Sequence, residues 1–370
     1  MSQGRILWVN WRDLRNPLAG GAEVHAHEVL SRLAARGWDC TLVSHAVHDL
    51  PERETESGYS ILREGGASTF NFTVWSQLPS WIARTRAQIV VDDSNKIAFL
   101  APWRTKLPVV ALIHHLFGKA IFREASLPAA LYVNLAERLV PRCYRDTPTM
   151  TGSPSARAEL MGLGLRDVVD VGEGVDLSGY APPAAGERDP DLLLYLGRIK
   201  KYKGLDALLH TVSTLVPRHP GIRLEVAGSG DDVPRLQELA RTLGIAERVR
   251  FLGRVSEEEK IALYRRASVA LNSSLKEGWG LTSIEANGCG TPVVASDVPG
   301  LCDSVRDGET GFLVPFGDHA AMAERVGRIL SDPALAARMH EACLAWAAAH
   351  TWDRVADRTE EVLRRRLASR

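Results

Sequence analysis

The sequence has 370 residues, 45% hydrophobic and 24% charged, with 45 Lys plus Arg against 45 Asp plus Glu. That length and balance fit a globular chain with two cores and exclude both a disordered composition and the positive excess that nucleic acid requires. Five cysteines (Cys40, Cys143, Cys289, Cys302 and Cys343) are scattered without C-x-x-C spacing, which excludes a disulfide framework or zinc motif and fits a reducing cytosol.

The N-terminal MSQGRILWVNWRD offers a six-residue apolar run, too short for a signal-peptide core. No stretch of about 18 apolar residues occurs. A cytoplasmic chain is expected, with peripheral contact at the inner face of a membrane left open.

RILWVNW, the helical pattern AEVHAHEVLSRLAARG and DCTLVSH predict a strand, a helix and a strand. QIVVDD, VVALIHH and PTMTGS continue this α/β series, the mark of a parallel sheet. From Asp176 to Asp191 the text DLSGYAPPAAGERDPD loses periodicity and reads as a linker. A second series follows: strand DLLLYLGR, a helix from Gly204 to about Val216, strand IRLEVAG, a helix to Leu243, and strand VRFLGRV. Ser256 with Glu259 is a capping box opening the next helix, and strands SVALNSS and PVVAS come after it. Helices fill residues 318–370. The predicted fold class is α/β, with domains at 1–180 and 181–345 and a terminal helical segment at 346–370.

Parallel sheets bind ligands at the carboxyl ends of their strands, so residues just past each strand are the candidates. Gly20 and Gly21 precede the first helix, where glycine lets backbone amides approach an anion or simply allows a turn. Arg198 and Lys203 lie in GRIKKYKG after a strand; the pair suits a diphosphate, and an isolated pair of this kind also suits a solvated surface. In SSLKEGWGLTSIEANGCG, the amides of Gly280, Leu281 and Thr282 open a helix and form an anion site. Glu285 sits about one turn into that helix, placed for ribose hydroxyls, and Glu277 lies in the loop, placed for a sugar; capping of the turn and of the helix end is the alternative. VVALIHH ends a strand with His114 and His115, one of which is expected to face a ligand. Asn95 and Lys96 follow a strand and are acceptor-side candidates, as are the segments TFNFTVWSQLPSW, DDSNK and LFGKAIFRE. The D-x-D spelled by Asp189 and Asp191 falls in the Pro-rich linker and is read as coincidence.

Taken together, the glycine loop, the strand-end His, the GR and KG pair and E-x7-E resemble the retaining nucleotide-sugar glycosyltransferases of family 4. EGWGLTSIEANGCGTPVVASDVPG is the segment that carries the resemblance furthest. It implies a GT-B fold: two Rossmann-like, doubly wound parallel-sheet domains facing across a cleft, and C-terminal helices of which the last packs back on the first domain. It also implies donor-diphosphate binding by Arg198 and Lys203, ribose binding by Glu285 and sugar binding by Glu277. Gly20 and Gly21 would lie against the donor, Val255 in GRVS would meet the base through its backbone, and His114 matches the family's strand-end His. No metal and no cofactor are implied. The donor is a nucleotide sugar, UDP-sugar ahead of GDP-sugar; the acceptor is a sugar, a lipid-linked compound or a small metabolite. A dinucleotide oxidoreductase lacks its third glycine after Gly228 and Gly230. A glycoside hydrolase and a catalytically silent nucleotide-sugar binding subunit are the remaining alternatives.

Overall fold

The structure, a computed structural model, describes residues 3–95, 97–114, 116, 118, 121, 126–184 and 186–369. It divides into two units, one made of residues 1–174 with 351–370 and the other of residues 175–350. Among the described residues no helix is long and apolar enough to cross a membrane.

The first unit is built on eight strands: β1 (Gly4–Val9), β2 (Trp38–Ser44), β3 (Arg53–Glu56), β4 (Tyr59–Arg63), β5 (Ile89–Ser94), β6 (Val109–Ile113), β7 (Thr149–Thr151) and β8 (Val168–Asp170). Their order is β3-β4-β2-β1-β5-β6-β7-β8, and only β3 runs antiparallel to its neighbour. β3 and β4 form a hairpin turning at Ser57 and Gly58, both at positive φ, as a two-residue turn requires. The polar β3, RETE, closes the sheet edge against further pairing. β5 is buried along its whole length, because helices cover both faces of a parallel sheet. The helices Gly21–Ala35 and Trp352–Ala368 pack on one face with Trp8, Ile89, Val110 and Trp352 in their core. Phe70–Thr85 covers the other face through Phe70, Val74, Leu78 and Trp81.

After β1 the chain is pinned by a buried ion pair. Arg63 Nε lies 2.8 Å from Asp13 Oδ2 and Arg63 Nη2 lies 2.9 Å from Asp13 Oδ1. This two-pronged geometry fixes the loop that leads to Gly20.

The second unit has six parallel strands: β9 (Asp189–Leu196), β10 (Arg223–Ala227), β11 (Val249–Gly253), β12 (Ala267–Asn272), β13 (Val293–Ser296) and β14 (Gly311–Val314). Their order is β11-β10-β9-β12-β13-β14. β9 therefore begins inside the stretch read as a linker. Its charges hide the strand in the sequence: Asp189 pairs with Arg223 on β10, and Arg188, just before the strand, donates to the Ala267 carbonyl at 2.8 Å and to Thr291 Oγ1 at 3.1 Å. The D-x-D residues thus belong to a strand.

Residues 175–180, assigned to the first domain from sequence, fall in the second unit. Val175 and Leu177 pack against Trp279, Ile284 and Ala347, and Tyr180 against the cluster containing Tyr264. The terminal segment drawn from residue 346 divides, too: Trp346 and Ala347 stay with the second unit and residues 351–370 belong to the first.

In both sheets the strand order reverses once, between β1 and β5 and between β9 and β12. Such a reversal opens a crevice at the carboxyl ends, the place where open α/β sheets bind ligands.

Trp352 is 7% exposed within the first core. Trp352→Ala is expected to lower the unfolding free energy by about 3–5 kcal/mol in urea titration. A change below about 1 kcal/mol would show that the terminal helix is peripheral to that core.

Candidate active site

In the first unit the strand ends bring together side chains that are far apart in sequence. Successive residues of a strand face opposite sides, so Asp92 and Asp93 of β5 do different things. Asp92 turns to Tyr144 and to the amide of Ala101, and holds the loop after the strand. Asp93 accepts through Oδ2 from Trp8 Nε1 at 2.8 Å and Asn10 Nδ2 at 3.0 Å, both from the β1 end. Its Oδ1 lies 3.0 Å from His114 Nε2, at the end of β6. His114 Nδ1 lies 3.7 Å from Glu173 Oε1. Glu173 follows β8 and crosses the backbone after β7 so closely that a Cβ on Gly152 would sit 2.3 Å from Glu173 Oε1. Its Oε2 lies 2.9 Å from Nδ1 of the buried His25. The His25 ring stands edge-on to both His114 and Trp352.

Burial works against charge on His114, but the Asp93 carboxylate and then Glu173 outweigh it, and the imidazole is raised to about 10. Burial would raise Glu173, but the His25 and His114 rings outweigh it and the carboxyl is lowered to about 2. Among the described residues, His25, His114 and Glu173 form the one group whose three metal-ligand-type atoms lie within 4.8 Å of one another. Their closeness is accounted for by the pairing just described.

Gly20 and Gly21 sit at the start of the helix Gly21–Ala35, as expected, but the Gly20 amide is already engaged. It donates to Glu23 Oε2 at 2.7 Å. An acid at the third helical position here reaches back to the residue that caps the helix. Glu23 Oε1 in turn accepts from Asn95 Nδ2 at 2.7 Å, which also reaches Asn10 Oδ1 at 3.0 Å. Asn95 Oδ1 is buried without a hydrogen-bond partner. Lys96 and His115 lie outside the described residues.

In the second unit, Lys203 and Glu277 meet at the reversal between β9 and β12, where Lys203 Nζ is ion-paired with Glu277 Oε1. The same oxygen lies 2.6 Å from Ser274 Oγ. Two further bonds tie the loops together: Ser273 Oγ to the Lys203 carbonyl at 2.9 Å and the Leu275 amide to the Tyr202 carbonyl at 3.0 Å. Arg198 is exposed on the same loop, with Nη2 3.2 Å from the Tyr202 hydroxyl.

The helix Leu281–Gly288 starts from Gly280 in the left-handed region at φ 71°. A Cβ there would sit 2.5 Å from Ser304 Oγ, so glycine is needed on both counts. The first-turn amides of Leu281 and Thr282 have no acceptor within the helix and carry its positive end. Trp279, between the two glycines, does not join the site: it is buried against Ile284 and Ala347. Glu285 accepts from Lys260 Nζ at 2.8 Å and from the Tyr264 hydroxyl at 3.1 Å. Burial disfavours the Lys260 charge, but Glu285 and then Glu257 outweigh it and raise its pKa. Val255 lies between β11 and the capped helix Glu257–Arg266, half-buried against the cluster containing Tyr264.

The structure thus joins Lys203 to Glu277 and sets Asn95 beside the Gly20 loop. Sequence reading held Asp93 only within the acceptor-side segment DDSNK, and missed Glu173, His25, Lys260 and Tyr264. Lys260 and Tyr264 share a helix face four apart, and Asp93 and Glu173 both stand at strand ends, which are the signals that were available.

Residues 183–345 match the family described as Glycosyl transferases group 1, and residues 19–178 match Glycosyltransferase Family 4. A D-inositol 3-phosphate glycosyltransferase of Nocardia farcinica is 30% identical, covering 92% of this chain and 83% of its own. A sucrose-phosphate synthase from Thermosynechococcus elongatus has the same fold, with a TM-score of 0.79 at 23% identity over 100% of both chains. So has Anabaena HepE, solved in complex with UDP, with a TM-score of 0.76 at 19% identity over 97% of this chain and 99% of that one. Matched in both units and related over nearly its whole length, the chain belongs to glycosyltransferase family 4 and has the GT-B fold.

Proposed function

We propose that the chain is a retaining, metal-independent transferase that moves a sugar from a nucleoside diphosphate sugar to an acceptor hydroxyl. The observation that carries this reading is the Lys203–Glu277 ion pair at the β9/β12 reversal, with the exposed Arg198 beside it. As the bond from the sugar to the diphosphate breaks, negative charge grows on the leaving phosphate. Arg198, Lys203 and the amides of Leu281 and Thr282 supply opposite charge without a metal. In the absence of a donor Lys203 and Glu277 neutralise each other. On binding, the diphosphate takes over Lys203 and frees Glu277 to accept from sugar hydroxyls, while Glu285 accepts from the ribose. The acceptor oxygen bonds to the anomeric carbon on the face the phosphate leaves, and its proton passes to a phosphate oxygen. No protein nucleophile is needed.

UDP-sugars come ahead of GDP-sugars, in keeping with the UDP complex of HepE. The names of the relatives make D-inositol 3-phosphate the first acceptor to try. A hydrolase using Glu277 and Glu285 as a pair is disfavoured, since each carboxylate has its own lysine.

Calorimetric titration with UDP, GDP, ADP and dTDP in EDTA is the test. Saturable binding of UDP is expected, weakened in Lys203→Ala. Transfer by Lys203→Ala or Glu277→Ala should fall about 10²–10³-fold with folding intact. Wild-type rates in either variant would sink the site assignment, and a strict Mg²⁺ requirement would sink the metal-independent step. Binding without transfer to any acceptor would identify a silent subunit.

Peripheral contact with the inner face of a membrane belongs to the same reading. Phe72, Trp75, Leu127, Leu131, Tyr132 and Leu135 are exposed, Phe72 stacks on Tyr132, and Arg104 lies over Trp75. Aromatic and basic groups side by side suit anionic headgroups. Co-sedimentation with phosphatidylglycerol vesicles is expected and should be lost in Phe72→Ser/Leu131→Ser; equal sedimentation of both proteins would rule this face out, and none by the wild type would rule out the contact.

A further inference from the structure

Both nitrogens of the His114 ring face carboxylates, Asp93 at 3.0 Å and Glu173 at 3.7 Å. Each carboxylate is held from behind. Asp93 is fixed through its other oxygen by Trp8 and Asn10, and Glu173 by His25. An ionised carboxylate only accepts, so a ring set between two of them is most stable with a proton on each nitrogen.

We propose that Glu173 is a positioning residue which, with Asp93, keeps His114 doubly protonated, so that His114 serves as fixed positive charge and hydrogen-bond donor and not as a base. This rests on the transfer reaction proposed above, in which a phosphate oxygen takes the acceptor proton and leaves a protein base without a task. The directions of the two shifts, up for His114 and down for Glu173, agree with it. Among the described residues, the titratable groups around His114 are Asp93 on β5, Glu173 after β8 and His25 on the helix Gly21–Ala35. Glu23 stands further off, joined to Asp93 through Asn95 and Asn10.

The pH window follows. A histidine raised to about 10 contributes stability that is full below its ordinary 6.5 and lost as pH rises towards 10. A glutamate lowered to about 2 contributes stability that is full above its ordinary 4.5 and lost as pH falls towards 2. The stability gap between wild type and His114→Gln should be widest between 4.5 and 6.5 and narrow on both sides.

NMR of the histidine ring protons tests the protonation directly, with the His114 signal assigned by its loss in His114→Gln. The wild-type signal should keep its imidazolium position to about pH 9, and in Glu173→Gln the midpoint should fall by about 1–3 pH units. A wild-type midpoint near the ordinary 6.5, or no movement in Glu173→Gln, overturns the proposal. The wild-type measurement stands even where the variant fails to fold. The pH profile of kcat is the second readout: Glu173→Gln should lose turnover about tenfold per pH unit above its new midpoint, whereas Glu173→Asp should follow the wild type. An equal loss at every pH would mark a structural role instead. Absence of transfer from every nucleotide sugar would sink the reaction, while the NMR midpoint still reports on His114.

Discussion

Parallel pairing sends the carboxyl ends of all six strands of the second sheet to one edge, and does the same for every strand of the first except β3. Hydrogen bonding consumes the backbone within the sheet, so the chain acquires free polar groups only where strands stop. The reversal of strand order then parts two neighbouring loops at one point in each sheet. Lys203 with Glu277 and Asn10 with Asp93 occupy those two points.

Burial of charge near the strand ends is tolerated because the partners are immediate. Asp13 meets the two-pronged Arg63, Asp93 meets Trp8 and Asn10, and Glu285 meets Lys260 and Tyr264. A carboxylate so held keeps its orientation before any ligand arrives, which removes the cost of ordering it at the moment of binding. The Lys203–Glu277 pair differs, since its two members neutralise each other and, in the proposed transfer, would part to meet opposite ends of the donor.

Local pattern made the longer apolar strands of both sheets legible, as in RILWVNW and VVALI, and the capping box at Ser256 marked its helix correctly. β3, β4, β8 and β14 went unread, β3 because its residues are all polar, β8 and β14 because three or four residues are too few to show a period, and β9 in part because it opens on Asp189, whose partner Arg223 lies on β10. At the site, Lys203 and Glu277 stood out because a glycine follows each in a loop, and Glu285 because of its spacing from Glu277. Glu173, His25 and Lys260 did not. Their significance lies in what they face, and that is set by the packing of elements distant in sequence: Glu173 meets His25 across 148 positions. Trp279, a conspicuous aromatic between two glycines, is absorbed by the core.

The second unit is continuous in sequence, whereas the first is closed by residues 351–370. The Val175 amide donates to the His350 carbonyl at 3.1 Å, so the inserted stretch begins and ends at one point. On the ribosome this becomes an order of events. β1 to β8 emerge first, the insertion then completes a core of its own, and only afterwards do Trp352, Val355, Val362 and Leu363 arrive to cover the first sheet. The unit that is synthesised first is finished last, and a chain halted before residue 351 carries an uncovered apolar face where those side chains belong.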